Sequence, residues 1–182
     1  MKLVFLDRDG VINEFPGMGA YLTRWEDFHF LPRVIEAVAL LSKAGYELNI
    51  VSNQGCVARG DISLDGLNEI TRKALRQIEA GGGRIAGVFY CIHQSSDNCE
   101  CKKPKTKLFY DALRGRTVEM RSVYFIGDSV EDMQAGEALG CQKILVLSGR
   151  NGESDVQDFP VKLDVVKKDL WEAAQWILQK KS

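Results

Sequence analysis

Short apolar runs alternate along this chain with longer segments in which apolar residues recur every three or four positions. The first run, Leu3–Leu6, has four consecutive apolar residues, which is typical of a strand buried on both faces of a sheet. Further strands are predicted at 46–51, 85–90, 123–126 and 143–147, with a short edge strand at 163–166. Helical periodicity predicts helices at 32–44, 63–79, 106–113, 130–139 and 168–180.

The alternation of strand and helix predicts an α/β fold. We expect a doubly wound, Rossmann-like and mostly parallel sheet with helices on both faces. The chain has 182 residues, so we expect a single domain spanning 1–182. The segment from 13 to 31 has room only for a loop, and no cap domain is therefore expected to cover the strand ends.

Charge and composition narrow the possible partners. The net charge is −1, which does not favour binding to nucleic acid or to an anionic membrane surface. No apolar run approaches the ~20 residues of a membrane span, and the N-terminus lacks the basic segment and cleavage site of a secretory signal. We therefore expect a cytoplasmic protein, in whose reducing compartment clustered cysteines more often bind metal than form disulfides.

Acidic residues follow the first predicted strand, and further polar residues follow the others. Asp7 and Asp9 are two residues apart, so in an extended chain their side chains point the same way. Ser52 ends the second strand, Asp128 follows the fourth, and Lys103 follows a loop after the third. Parallel α/β sheets place their ligands at the carboxyl ends of the strands. Each residue alone also fits a solvated turn or surface position, but together they favour a common site.

These residue types fit phosphoryl transfer. A Mg²⁺ ion held by the carboxylates of Asp7 and Asp128 would offset their repulsion and neutralise a phosphate. Asp7 could then attack phosphorus, while Asp9 protonates the leaving oxygen and later activates water. Ser52 and Lys103 would hold the phosphate oxygens. The sequence therefore predicts a phosphoryl-transfer site with Asp7, Asp9, Ser52 and Lys103 as its catalytic residues.

A second cluster of metal-ligand residues lies in the loop at 91–101. Cys91, His93, Cys99 and Cys101 offer three thiolates and one imidazole, a complete tetrahedral set for Zn²⁺. Disulfides between cysteines two residues apart are geometrically poor. Four protein ligands leave no open position, so the predicted zinc site is structural. Because Lys103 closely follows Cys101, we expect the zinc loop to position that lysine.

Four motifs resemble, in order, those of the haloacid dehalogenase-like phosphatases. They are Asp7-Arg8-Asp9-Gly10-Val11, Ser52-Asn53-Gln54, Lys103-Pro104 and Gly127-Asp128-Ser129-Val130-Glu131-Asp132. The resemblance covers roughly residues 3–150. It implies a Mg²⁺-dependent phosphatase in which Asp7 is the nucleophile and Asp9 the acid/base residue. It also implies that Asp9 binds Mg²⁺ through its backbone carbonyl, beside the carboxylates of Asp7 and Asp128. Asp132 is expected to be structural and not a ligand.

The zinc loop is similar to that of one branch of this family, whose members act on heptose bisphosphates or on histidinol phosphate. The resemblance implies a small phosphorylated metabolite as the binding partner, with a heptose 1,7-bisphosphate as the leading substrate and histidinol phosphate as the alternative. Predicted substrate-binding residues are Arg8, Asn53, Gln54, Arg59 and Lys102. A catalytically silent, zinc-stabilised binding domain is the rival of a different class. We expect a monomer.

Overall fold

The computed structural model describes residues 1–180. The last two residues of the predicted domain at 1–182 lie outside this range, and the division of the chain into domains stays a prediction. Within the described residues, no helix is long and apolar enough to cross a lipid bilayer.

The described residues form a six-stranded sheet in which every neighbouring pair is parallel. The strands are β1 (Leu3–Leu6), β2 (Glu47–Asn53), β3 (Gly87–Cys91), β4 (Tyr124–Gly127), β5 (Gln142–Val146) and β6 (Val165–Lys167). Their spatial order is β3-β2-β1-β4-β5-β6. This order confirms the predicted doubly wound α/β fold.

Helices cover both faces of the sheet. They are α1 (Val34–Lys43), α2 (Cys56–Arg59), α3 (Leu64–Ala80), α4 (Lys107–Leu113), α5 (Val130–Leu139) and α6 (Leu170–Gln179). Buried residues of α1, α3 and α6 share one core with Val4 and Leu6 of β1. Buried residues of α4 and α5 share the other core with Leu3 and Phe5. The alternating side chains of β1 thus enter opposite cores, which is why this strand is apolar throughout.

Most element boundaries differ from the predictions by only a few residues, and two differences have clear causes. The first helix begins at Val34 and not at 32, because Arg33 adopts a left-handed conformation with φ of 61°. Strand β2 extends to Asn53 because that residue still pairs with Cys91 of β3. The four-residue helix α2 was not predicted, since one turn is too short to show an apolar period.

The chain reverses its direction across the sheet between β1 and β4. From β1 it proceeds through β2 to β3 on one side and resumes at β4 on the other. Leu6 is paired with Ile50 on β2 and with Ile126 on β4. β1 and β4 therefore end within one residue of the same level, and β2 continues to Asn53. Such a reversal opens a crevice beyond the carboxyl ends of the strands. Residues at or just beyond the ends of β1, β2 and β4 line this crevice, among them Asp7, Ser52 and Asp128.

Candidate active site

A cavity of about 250 Å³ opens at the carboxyl ends of the central strands. The predicted site residues that line it are Asp7, Asp9, Ser52, Asn53, Lys102, Lys103 and Asp128. Segments far apart in sequence meet here because each follows a strand of the same parallel sheet. The cavity therefore combines the predicted nucleophile, acid/base residue and phosphate-binding residues.

The ammonium group of Lys103 lies at the centre of this arrangement. Its Nζ is 2.7 Å from Oδ1 of Asp7 and 2.6 Å from Oδ1 of Asp132, and it donates to the carbonyl of Val51 at 2.9 Å. Burial alone would lower the pKa of Lys103, but attraction by Asp132 and Asp7 outweighs burial and raises it above its usual value. The lysine is therefore a fixed positive charge beside the predicted nucleophile.

Asp132 holds the turn after β4 together. Its Oδ2 accepts from the Oγ of Ser129 at 2.6 Å and from the backbone N–H groups of Asp128 and Ser129 at 3.2 Å. Its side chain is fully buried. Ser129 in turn caps α5 by accepting from the backbone N–H of Asp132. Asp132 lies close enough to Asp7 and Asp128 to share a metal ion, but both of its oxygens already have partners in the protein.

Asp7 and Asp128 form a buried carboxylate pair. Burial raises the pKa of Asp7 to about 6, despite the opposing attraction of Lys103. Burial and repulsion by Asp7 raise the pKa of Asp128 to about 8. Two carboxylates that resist ionisation together suit a divalent cation, and oxygen donors of this type suit Mg²⁺. The donor set therefore fits the magnesium ion that the sequence predicts.

The carboxylate of Asp9 is held in place by three side chains. Arg8 donates to both of its oxygens at 2.9 and 3.0 Å, while Asn13 donates to Oδ1 and Gln54 to Oδ2, each at 2.8 Å. Gln54 also donates to the Oγ of Ser52 at 3.2 Å. Asp9 thus reaches the cavity wall in one orientation.

The structure places two of the predicted substrate-binding residues outside the cavity. Arg8 and Gln54 were predicted to bind substrate, but both are buried and neither lines the cavity. Their side chains lie behind Asp9 and orient it. Asn13 was not singled out in the sequence, although its place four residues after Asp9 is consistent with a tight turn that returns to that carboxylate.

Asn53 and Arg59 have different relations to the cavity. Asn53 lines it and also accepts from the backbone N–H of Lys103 at 2.9 Å while donating to the carbonyl of Lys103 at 3.2 Å. Arg59 does not line the cavity. Its guanidinium pairs with Asp61 at 2.6 Å and lies over the ring of Tyr21, which does line the cavity. Arg59 is therefore a rim residue in this structure.

The loop after β5 forms a wall of the cavity that the sequence did not reveal. The backbone N–H of Arg150 donates to Oδ2 of Asp128 at 2.7 Å, and the Asn151 side chain donates to the carbonyl of Asp128 at 2.7 Å. Ser148 donates to the carbonyl of Gly10 at 2.7 Å. In the sequence this segment is an ordinary polar loop, because neither a backbone donor nor a single serine or asparagine has a distinctive sequence pattern.

The four predicted zinc ligands converge in the loop after β3. Cys91 Sγ lies 3.6 Å from Cys99 Sγ and 3.3 Å from Cys101 Sγ, and His93 Nδ1 lies 3.1 Å from Cys101 Sγ. All four ligand atoms lie within 4.8 Å of one another. Sulfur atoms around a tetrahedral Zn²⁺ are about 3.8 Å apart. Three sulfurs and one imidazole at such spacings fit Zn²⁺.

The chain resembles known phosphatases over most of its length. A family model described as HAD-hydrolase-like matches residues 100–173. The D-glycero-beta-D-manno-heptose-1,7-bisphosphate 7-phosphatase of Neisseria meningitidis is 34% identical over 150 residues, which cover 82% of this chain and 79% of that protein. The enzyme of the same name from Bordetella bronchiseptica is 33% identical over 179 residues, covering 98% of this chain and 99% of the relative.

Solved structures of phosphatases also resemble this chain over nearly its whole length. The D,D-heptose 1,7-bisphosphate phosphatase of B. bronchiseptica, complexed with magnesium and phosphate, superposes with a TM-score of 0.91 at 33% identity and covers 99% of each chain. The corresponding structure from Burkholderia thailandensis has a TM-score of 0.74 at 31% identity, covering 98% of this chain and 99% of the other. The sequence motifs, the fold and these relatives agree, and the chain belongs to the haloacid dehalogenase-like phosphatase family.

Proposed function

We propose that this protein is a Mg²⁺-dependent phosphatase that removes the 7-phosphate of a D-glycero-D-manno-heptose 1,7-bisphosphate. The observation that carries the chemistry is the contact of Lys103 with Asp7, 2.7 Å long, beside the buried carboxylate of Asp128. Similarity to the heptose phosphatases over nearly the whole chain supports the substrate. Lys102 and Asn53, which line the cavity, are the proposed substrate contacts beyond the transferred phosphate.

In the first half of the reaction, a carboxylate oxygen of Asp7 attacks phosphorus and forms an aspartyl-phosphate. The bond from phosphorus to the sugar oxygen breaks, and Asp9 gives its proton to that oxygen. Lys103 holds Oδ1 of Asp7 and so fixes the plane of the attacking carboxylate. The hydroxyl of Ser52 and the Lys103 ammonium stabilise the charge on the phosphate oxygens.

In the second half, water attacks the phosphorus of the aspartyl-phosphate and Asp9 accepts a proton from it. The bond from phosphorus to Asp7 breaks and inorganic phosphate leaves. Arg8, Asn13 and Gln54 hold the Asp9 carboxylate toward the cavity for both proton transfers. Mg²⁺, bound by Asp7, Asp128 and the backbone carbonyl of Asp9, would supply positive charge against the phosphate.

The cysteine cluster is proposed to hold a structural Zn²⁺ through Cys91, His93, Cys99 and Cys101. This metal would fix the loop that carries Lys102 and Lys103 into the cavity. The loop is also tied to the end of β2, since the backbone N–H of Gln54 donates to the carbonyl of Cys91 at 2.6 Å. We further propose that the protein acts in the cytoplasm as a monomer on a small phosphorylated metabolite.

A substrate comparison tests this proposal. The purified protein with Mg²⁺ is assayed for phosphate release from both anomers of the heptose 1,7-bisphosphate and from histidinol phosphate. We expect the highest kcat/KM for a heptose bisphosphate, and no turnover by Asp7→Asn. A higher kcat/KM for histidinol phosphate would overturn the substrate assignment. If the wild type released no phosphate from any of these substrates and Asp7→Asn behaved identically, the chemistry would be overturned and the silent zinc-stabilised domain favoured.

A further inference from the structure

Arg150 brings a cationic side chain to the cavity from the side opposite the zinc loop. It follows β5 and lines the cavity, and its backbone N–H donates to Oδ2 of Asp128 at 2.7 Å. That hydrogen bond fixes the start of the side chain beside a proposed Mg²⁺ ligand. The guanidinium lies over the ring of Phe15, 5.5 Å from its centroid, and Phe15 lines the same cavity.

Among the described residues, two cavity-lining cations, Lys103 and Arg150, have ion-pair partners, and the pair formed by Arg150 is the weaker one. Its Nη1 lies 3.3 Å from Oε2 of Glu131, and both side chains are about two-fifths exposed, at 39% and 44%. Exposed ion pairs of this kind contribute little energy. Lys103, by contrast, is buried between Asp7 and Asp132. The guanidinium of Arg150 therefore has hydrogen-bonding capacity left for an anionic ligand.

Strand order places Arg150 and Lys102 on opposite flanks of Asp7. β5 and β3 each lie two strands from β1, so the loops that follow them begin about 10 Å to either side. When one phosphate of a bisphosphate substrate lies over Asp7, its second phosphate lies toward either Arg150 or Lys102. Arginine can bind a phosphate through two parallel N–H bonds, whereas lysine offers a single point charge.

We propose that Arg150 determines specificity by binding the second, non-transferred phosphate of a bisphosphate substrate. This phosphate replaces Glu131 as the partner of the guanidinium. The phosphate dianion carries more charge than the carboxylate and accepts both donors of the guanidinium edge. Phe15 restricts the guanidinium before the substrate arrives, which lowers the entropy lost on binding. This inference rests on the proposed function, because it requires a substrate with two phosphates.

The test compares two substrates that differ only in the second phosphate: heptose 1,7-bisphosphate and heptose 7-phosphate. The measured quantity is the ratio of their kcat/KM values for wild type, Arg150→Ala, Arg150→Lys and Glu131→Gln. We expect Arg150→Ala to lower this ratio about tenfold or more, mainly by raising KM for the bisphosphate. Arg150→Lys should restore part of the ratio, and Glu131→Gln should raise it about two- to threefold by removing the competing carboxylate.

Arg76→Ala serves as the matched control, because Arg76 is an exposed arginine on α3 that does not line the cavity. Equal losses of kcat/KM on both substrates in Arg150→Ala would overturn the inference and assign Arg150 to support of Asp128. A ratio that falls in Lys102→Ala but not in Arg150→Ala would overturn the inference and show that Lys102 binds the second phosphate. A wild type that hydrolyses neither sugar phosphate would overturn the proposed function itself.

Discussion

Gly149 packs against Gly10 with no space for a side chain between them. A Cβ atom on Gly149 would lie 2.7 Å from the Cα of Gly10, and one on Gly10 would lie 2.8 Å from the Cα of Gly149. Either Cβ would also overlap the carboxylate of Asp128. Gly10 has a φ of +85°, which disfavours other residues as well. The loops after β1 and β5 therefore enclose Asp128 from two sides.

Gly149→Ala is expected to damage the proposed Mg²⁺ site more than the fold. The added methyl must displace either Asp128 or the backbone at Gly10, and overpacking of this kind costs about 1–3 kcal/mol of unfolding free energy. Displacement of a reacting group by about 1 Å can cost on the order of 100-fold in rate. We expect kcat/KM to fall by about that factor, with a higher Mg²⁺ concentration needed for half-maximal rate.

Gly152→Ala is the control in the same loop. A Cβ there meets only Oδ2 of Asp155, at 3.9 Å, and the backbone φ of −102° suits any residue. Its Mg²⁺ titration and melting temperature should match those of wild type. A Gly149→Ala variant that also matches wild type would contradict the close packing of the two loops around Asp128.

Asp132→Asn should weaken both the fold and catalysis. The substitution removes one of the two carboxylates that neutralise the buried Lys103. Breaking a buried ion pair on one side costs about 3–5 kcal/mol, and because Asp7 remains, we expect a loss of about 3 kcal/mol by urea unfolding. Turnover should fall as well, since Asp7 is then the only carboxylate paired with Lys103.

Asp111→Asn is the matched comparison for an exposed pair. Asp111 accepts from Lys107 at 2.6 Å on α4, but the side chains are 42% and 55% exposed. Exposed pairs four residues apart on a helix contribute about 0.3–0.5 kcal/mol. If the two variants lost equal stability, burial would not be the source of the strength of the Lys103 cluster.

Residues that directly follow strands could be predicted well from the sequence. Asp7, Ser52 and Asp128 each follow an apolar run, and parallel strands bring such positions to one edge. The convergence of Cys91, His93, Cys99 and Cys101 could be predicted because these residue types at such short spacing have few other uses. For the strand-end residues, the topology of the sheet gives the distant neighbours; for the cysteine cluster, the short spacing within one loop is enough.

Residues whose role depends on rotamer and burial could not be predicted. Arg8 lies next to Asp9 in sequence, and only the structure shows that its guanidinium turns back onto that carboxylate. Gln54 is buried behind the same group and not in the cavity. Arg150 contributes through its backbone N–H, a donor that nearly every residue carries.

Cys101→Ser should lower both zinc content and turnover. Cys101 Sγ lies 3.3 Å from Cys91 Sγ and 3.1 Å from His93 Nδ1, so its loss removes one of four ligands. The loop would then no longer fix the backbone of Lys103, which is two residues away. Metal analysis should show less than one zinc per chain, and kcat should fall about tenfold or more.

Cys141→Ala is the control, because Cys141 is buried and lies outside the cluster. It should keep its zinc and its kcat, even if the small cavity lowers stability by about 1 kcal/mol. A folded Cys101→Ser protein that lacks zinc but keeps wild-type kinetics would show that the metal does not position Lys103.

The ion pair between Glu47 and Arg116 should give a pH-dependent contribution to stability. Arg116 donates to both carboxylate oxygens at 2.7 and 2.6 Å, and this lowers the pKa of Glu47 to about 2 from its usual 4.5. A lowered pKa means that the stabilisation is present above about 4.5 and is lost as pH falls toward about 2. The pair is partly exposed, so we expect only about 1 kcal/mol at pH 7.

Glu47→Gln removes the charge and nearly preserves the shape, so it isolates this contribution. By urea unfolding, the variant should be about 1 kcal/mol less stable than wild type at pH 7. This difference should shrink as pH falls below about 4.5, because the wild-type glutamate is then protonated and loses its charge. Glu119→Gln, at an exposed glutamate with no ion pair among the described residues, should show no such trend. A difference that stays constant with pH would mean that the loss comes from the changed hydrogen bonding of the amide and not from the charge of Glu47.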